Sequence, residues 1–168
     1  MDLLVVLKKM VDSIIINNQA FYDIDDEIEW EFSKDNSNNP VAYEKDYKIM
    51  VNSNAVKNLM QKGELDKIEY YLLVAVRQLF QRLEIEGLEF EMETITDPKV
   101  IKIWKDEEVI TNEEDKDFFN SVRNIDAYAY AYGVMKYKYD NVDCLDVPSV
   151  NKDKFLELVD AWVKKFNE

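Results

Sequence analysis

Apolar positions along the chain follow two periodicities, and these divide it into elements. Leu3, Leu4, Leu7 and Met10 or Val11 recur at helical spacing, so a first helix begins near Asp2. The β-branched run Ile14-Ile15-Ile16 favours a strand, which leaves the end of that segment, near Gln19, open between the two. Over 21–32, Ile24, Ile28, Trp30 and Phe32 alternate loosely with acids and predict an edge strand whose charges discourage pairing with another chain. The stretch DNSNNP over 35–40 predicts a loop. Tyr47–Val51 predicts a short strand, and Asn54–Gln61 a short helix ended by Gly63.

The longest signal runs from Glu64 to about Leu83, with Ile68, Leu72, Ala75 or Val76, Leu79 and Leu83 on one stripe. Tyr70 through Val76 is apolar nearly all round, which places this helix in the middle of its domain. Leu88, Phe90 and Met92 then alternate with Glu89, Glu91 and Glu93, the pattern of a half-buried strand. Asp97 as cap and Pro98 in the first turn predict a short helix through Trp104. A second long helix is expected from Thr111 or Asn112, because three acids follow there and the helix dipole favours acids in an opening turn. It would continue through Phe118, Val122, Ile125, Ala129 and Tyr132 towards Tyr137. A last helix runs from Asn151 or Lys152 to Phe166, with Phe155, Leu158, Val159 and Trp162 on its apolar face. No repeat, low-complexity tract or linker interrupts the pattern. The expectation is one α+β domain over 1–168, mostly helical.

Composition narrows the chemistry. At 168 residues and 47% hydrophobic, the chain can bury a real core and is no disordered acidic tail. A lone Cys144 excludes a disulfide framework and a cysteine-based zinc cluster. The absence of histidine excludes more, since the commonest general base and the commonest metal ligand are both missing. Ser-His, Cys-His and His-zinc mechanisms are closed to it. With glycines only at 63, 87 and 133, there is no phosphate-cradling loop. No apolar run reaches the length of a bilayer, and Leu3–Leu7 lacks the flanks of a signal peptide. The expected location is cytoplasmic, with no cofactor.

Charge changes the picture again. The net charge is −14, and three windows concentrate it: 21–35, with Asp25, Asp26, Glu27 and Glu29 at its centre; 84–95, with Glu84, Glu86, Glu89, Glu91 and Glu93; and 106–117. Outside these windows the chain is slightly basic. Such a surface repels nucleic acid and anionic membranes and attracts basic grooves. The plainer account of the same charge is a solvated face that keeps the chain soluble.

The stretch Tyr47–Gln81, YKIMVNSNAVKNLMQKGELDKIEYYLLVAVRQLFQ, with the later Asn120–Ala131, NSVRNIDAYAYA, resembles the zincin-like metallopeptidase-type proteins of phages and mobile elements. The resemblance covers roughly 45–135. It rests on Arg77, Gln81, Asp126 and alternating alanines standing where that family has H-E-x-R-H-x-x-Q and N-x-P-x-E-x-D-A-x-A-x-A-like motifs. It implies two long helices packed on a small antiparallel sheet. It also implies a lost site: the two imidazole positions are Val74 and Gln78, the general-base position is Ala75, and the third-ligand position is Asn124. None of these ligates zinc well or takes a proton, so the resemblance implies a pseudoenzyme with no metal. Val74 and Ala75 suggest that the site is filled with side chains. Ordinary helix–helix packing explains the same residues, since small side chains at 127, 129 and 131 permit close approach.

Within the apolar helix Arg77 needs a partner, because an unpaired buried charge is costly, and Asp126 is the candidate. Glu89 and Glu91 suit two-carboxylate chemistry, though on a strand they face water. Asp23, Asp25 and Asp26 lack the spacing and glycine of a calcium loop. Tyr128, Tyr130, Tyr132, Tyr137 and Tyr139 are too many for one helix core, which predicts that some face a partner. The resulting expectation is a non-catalytic acidic protein, encoded by a phage or mobile element, that inhibits a basic nucleic-acid-handling host protein such as a CRISPR effector or restriction enzyme. The alternatives are an enzyme using carboxylates or a divalent ion held by them, and a structural or regulatory subunit whose acidity serves solubility only.

Overall fold

Six α-helices and three short strands make up the described residues, 2–33 and 40–168, of the computed structural model: α1 (Leu3–Asn17), β1 (Trp30–Phe32), β2 (Ala42–Lys45), β3 (Lys48–Val51), α2 (Ser53–Gln61), α3 (Leu65–Glu89), α4 (Pro98–Asp106), α5 (Val122–Lys138) and α6 (Lys152–Phe166). The chain is thus mostly helical α+β. Among the described residues no helix is long and apolar enough to cross a membrane.

Caps explain most boundaries. Asp2 accepts from the Leu4 amide, Asn52 from that of Ala55, Asp97 from that of Lys99 and Ser121 from that of Asn124, each meeting an amide the helix leaves unpaired. Gly63, at φ +72°, ends α2 while its own amide and that of Glu64 turn back to the carbonyls of Met60 and Leu59. Lacking a Cβ, it holds this left-handed conformation at no steric cost.

The sheet has the order β1-β3-β2. β2 and β3 form an antiparallel hairpin closed by Asp46 and Tyr47, both at positive φ. β1 runs parallel to β3, with Trp30 opposite Ile49 and Phe32 opposite Val51. The sheet is therefore mixed rather than wholly antiparallel.

Three apolar clusters sit around α3. One gathers Tyr70, Leu73 and Val74 with α5, Phe155 and Val159. The second gathers Leu72, Ala75, Val76 and Leu79 with α1, α2 and the sheet. A third, smaller one holds Phe80, Ile101 and Trp104. The central position expected for this helix is what the structure shows.

The structure decides or corrects the local expectations at four places. Ile14-Ile15-Ile16 is helical, continuous with α1, because Ile15 completes the buried stripe of Leu7 and Val11. Of 21–32 only Trp30–Phe32 is strand, at the sheet edge. Leu88, Phe90 and Met92 form no strand: α3 runs on to Glu89 because Ile85 and Leu88 pack on the third cluster at helical spacing. The second long helix begins at Val122, not near Thr111. The Asn112 side chain accepts from the Glu114 amide and the Asp115 side chain from the Asp117 amide, local bonds that hold this stretch in turns. The loop expected over 35–40 lies outside the described residues apart from Pro40, which belongs to no helix or strand.

Candidate functional site

α3 and α5 meet around one buried ion pair. Arg77 Nε and Nη2 donate to the two carboxylate oxygens of Asp126 at 2.8 and 3.2 Å. Gln81 Nε2 donates to Asp126 Oδ2 at 2.8 Å and to the Arg123 carbonyl oxygen at 2.8 Å. The guanidinium carbon lies 4.2 Å from the Phe80 ring centroid and 4.8 Å from that of Trp162, so its faces meet aromatic rings. The partner expected for Arg77 is the one found, and Gln81 completes the arrangement.

The four positions where the zincin pattern would place its chemistry divide in two. Val74 and Ala75 are 1% and 0% exposed and belong to different apolar clusters. Gln78 and Asn124 instead line a cavity of about 560 Å³. Neither amide is idle. Gln78 Oε1 accepts from the Glu44 amide of β2 at 3.1 Å, and Asn124 Nδ2 donates to the carbonyls of Ile110 and Phe118, both at 3.0 Å. These residues do not fit zinc: two lack donor atoms and two are neutral amides that hold the backbone. Among the described residues no three acidic or cysteine side chains converge as a metal would require.

The remaining wall of that cavity comes from β2, the end of α4 and the loop after it. Arg82 pairs with Glu44, and its guanidinium carbon lies 5.1 Å from the Tyr47 ring centroid. Glu107 caps α5, accepting from the amides of Val122 and Arg123 at 2.7 and 3.0 Å and from Ser121 Oγ at 3.2 Å. Arg123 Nε donates to Gln81 Oε1 at 3.3 Å, and burial holds this guanidinium below its ordinary pKa. Trp104 is 1% exposed, and its indole Nε1–H has no hydrogen-bond partner among the described residues. Sequence reasoning missed Arg82, Arg123, Glu107 and Trp104. Only the helical spacing of Gln78, Gln81 and Arg82, which puts them on one face of α3, was available as a signal.

The acidic windows separate into structural and outward-facing carboxylates. Glu84, expected at a docking surface, is buried instead. It accepts from the Ile95 and Thr96 amides at 2.9 and 2.8 Å and so holds the turn after α3 in place. Glu86 accepts from Tyr47 Oη at 2.8 Å, and Glu89 meets Lys105 Nζ at 3.3 Å. Asp25, Asp26, Glu27, Glu29, Glu91 and Glu93 are exposed. The first two windows meet on the third apolar cluster, since Ile24 packs there alongside Ile85 and Leu88. In the third window Glu113 faces inward and accepts from Tyr128 Oη at 2.6 Å, and burial raises its pKa.

The tyrosines also divide. Tyr128, Tyr130 and Tyr132 are in the core, whereas Tyr137 and Tyr139 are 43% and 40% exposed. No protein-family model matches the chain, and no curated protein or solved structure matches it either.

Proposed function

We propose that the chain is a non-catalytic interaction protein that binds a basic surface on a nucleic-acid-handling protein and inhibits that protein by covering it. The observation that carries this reading is the turn between α3 and α4. There Phe90, Met92 and Ile95 are 70%, 66% and 65% exposed, with Glu91 and Glu93 between them. Three large apolar side chains exposed within six residues are unusual on a free surface and typical of a contact site. The buried Glu84 anchors the turn's far side through the Ile95 and Thr96 amides, so the turn is pre-shaped and less ordering is lost on binding. Acids between the apolar side chains, with Asp25 and Asp26 beside Ile24, select a partner that offers apolar sockets within positive charge. The resemblance to proteins of phages and mobile elements adds that a host defence protein, a CRISPR effector or restriction enzyme, is the class of target.

Two variants test this. The first is the quadruple charge reversal Asp25→Lys, Asp26→Lys, Glu91→Lys and Glu93→Lys; the second is Phe90→Ser with Met92→Ser. All these residues are exposed, so fold stability is expected to change little. The parent chain, immobilised in host-cell lysate, should retain a nucleic-acid-handling protein that elutes as salt rises, and should block that protein's nucleic-acid binding at equimolar ratio. Both variants should lose retention and inhibition. Equal inhibition by the charge-reversed variant would mean that the acids serve solubility alone.

A further inference from the structure

A second, smaller cavity, of about 130 Å³, lies between α3, the loop before α5 and the loop after it. Three tyrosines of its wall meet edge to face: the Tyr70, Tyr71 and Tyr128 ring centroids are 5.4, 6.0 and 6.5 Å apart. The Tyr71 and Tyr128 hydroxyls converge on one carboxylate, donating to Glu113 at 3.4 and 2.6 Å. Burial raises the Glu113 pKa, and the nearby carboxylates of Asp146 and Glu114 add to it. Asp146 also lines the cavity, and neither it nor Glu113 has an ion-pair partner within 4.0 Å among the described residues. Lys67, the basic side chain of the wall, pairs with Glu64 at 3.4 Å. The wall thus brings two carboxylates together with no cation between them, an arrangement that an arriving positive charge relieves. A further polar group is left over. Tyr70 is 5% exposed, and its hydroxyl has no hydrogen-bond partner among the described residues. It is not sealed off, since Trp104 Nε1 is the one unpaired side-chain atom among them that solvent cannot reach, so this hydroxyl opens on the cavity its residue lines.

We propose that this cavity binds a primary alkylammonium group, held by the Glu113 carboxylate and the Tyr70 hydroxyl oxygen under the charge of Asp146, with its alkyl stem against the aromatic wall. An ammonium group brings three donors and no acceptor, which suits a wall whose open groups are carboxylate and phenol oxygens. Hydrogen bonds to a charged group are the stronger kind, so these acceptors favour a primary amine over a quaternary one. The tyrosine and Phe119 rings attract a cation as well, and they hold the carboxylate in place through the Tyr71 and Tyr128 hydroxyls. A metal ion suits the site less, because among the described residues no three acidic or cysteine side chains converge. At about 130 Å³ the cavity has room for about four waters, so it takes the ammonium and a short stem rather than a larger body. Free amines and lysine side chains of another protein share this chemistry.

The probe is n-propylammonium chloride, titrated into the full chain at pH 7 and constant ionic strength, with neutral 1-propanol and tetramethylammonium chloride as controls. The readout is the backbone amide region of a two-dimensional nitrogen–proton NMR spectrum. The expected result is a saturable shift confined to the amides around Glu113, Tyr128 and Cys144–Val147, with both controls binding at least about ten-fold more weakly. Tyr70→Phe removes only an unpaired hydroxyl, and Glu113→Gln keeps an oxygen for the Tyr128 hydroxyl, so both are expected to keep the parental spectrum elsewhere. Each should weaken propylammonium about ten-fold. Nα-acetyl-lysine methylamide distinguishes the sources: binding equal to propylammonium assigns the site to a lysine side chain, and binding ten-fold weaker assigns it to a free amine. If propylammonium gives no saturable shift at these amides, if tetramethylammonium binds as well, or if Tyr70→Phe and Glu113→Gln bind as the parent does, the assignment is overturned and the attraction is only that of an acidic protein for any cation.

Discussion

Removing the Asp126 carboxylate tests whether the α3–α5 junction depends on pairing rather than on packing alone. Asp126→Ala deprives Arg77 of both its oxygen acceptors while leaving a guanidinium that is only 6% exposed. Stranding one member of a buried pair costs about 3–5 kcal/mol. Two features of this site place the expected loss at the lower end. The Phe80, Tyr130 and Trp162 rings still surround the cation, and Gln81 keeps its bond to the Arg123 carbonyl. A loss of about 3 kcal/mol corresponds to a fall in Tm of about 6–12 °C for a chain of this size. Arg77→Met leaves Asp126 with Gln81 as donor and with access to water at its 14% exposed side chain, so its cost is expected to be smaller, about 2 kcal/mol. The double variant should lose less than the two single losses together, by about 1–3 kcal/mol, because the orphaned charge is gone. Urea unfolding at pH 7 with equal m-values measures all three. Additivity within about 0.5 kcal/mol would refute the claim that the pair acts as a unit.

Gly133→Ala should lower Tm although alanine is the better helix former by about 1 kcal/mol. Its Cβ would stand 2.8 Å from the Trp162 Cβ, an atom fixed to the α6 backbone, and overpacking of this kind costs about 1–3 kcal/mol; a rise in Tm would mean that α6 yields freely. Two glutamates, the buried Glu69 and the half-buried Glu113, should tilt the pH dependence in opposite senses. Burial pushes the Glu69 pKa up, but hydrogen bonds from Lys138, Tyr139 and Asn18 outweigh it and leave it below the ordinary 4.5, so its stabilisation is present above that pH and lost as pH falls through the depressed value. Glu113 has its pKa raised by burial, so its contribution is fully present below 4.5 and lost as pH rises through the folded value. Urea midpoints between pH 3 and 7 should therefore fall less steeply on acidification in Glu69→Gln, whereas Glu113→Gln should hold its stability better as pH rises; parallel curves for both variants and the parent would contradict the two assignments.

Particular residues show where sequence reasoning carried through. The apolar stripe and all-round apolar stretch of 68–83 located the central helix, because a helix that cannot face water on any side has only one place to go. The caps at Asp97 and the stop at Gly63 were legible for the same reason: each acts within one turn of chain. Arg77 and Asp126 were legible as a pair because a charge inside an apolar helix demands a partner, and few carboxylates lay within another apolar segment.

Failures followed from what is not local. Phe90-Glu91-Met92-Glu93 alternates as a strand does, but a strand needs a neighbour for its backbone, and α3 instead continues because Ile85 and Leu88 find Phe80, Ile101 and Trp104. Glu113, Glu114 and Asp115 suit a helix start, yet Asn112 and Asp115 side chains hold their amides in turns. Glu84 and Glu91 look alike in the chain; one is buried under two amides and the other faces water. By itself, then, the sequence determined the mostly helical α+β class, the central helix, its buried ion pair and the exclusion of histidine chemistry, since each depends on composition or on neighbours a few residues away. Only the tertiary structure decided which carboxylates are structural, that the sheet is mixed, and that Gln78, Trp104 and Arg123 share one cavity. Those outcomes depend on how segments more than ten residues apart come together, and no local periodicity carries that information.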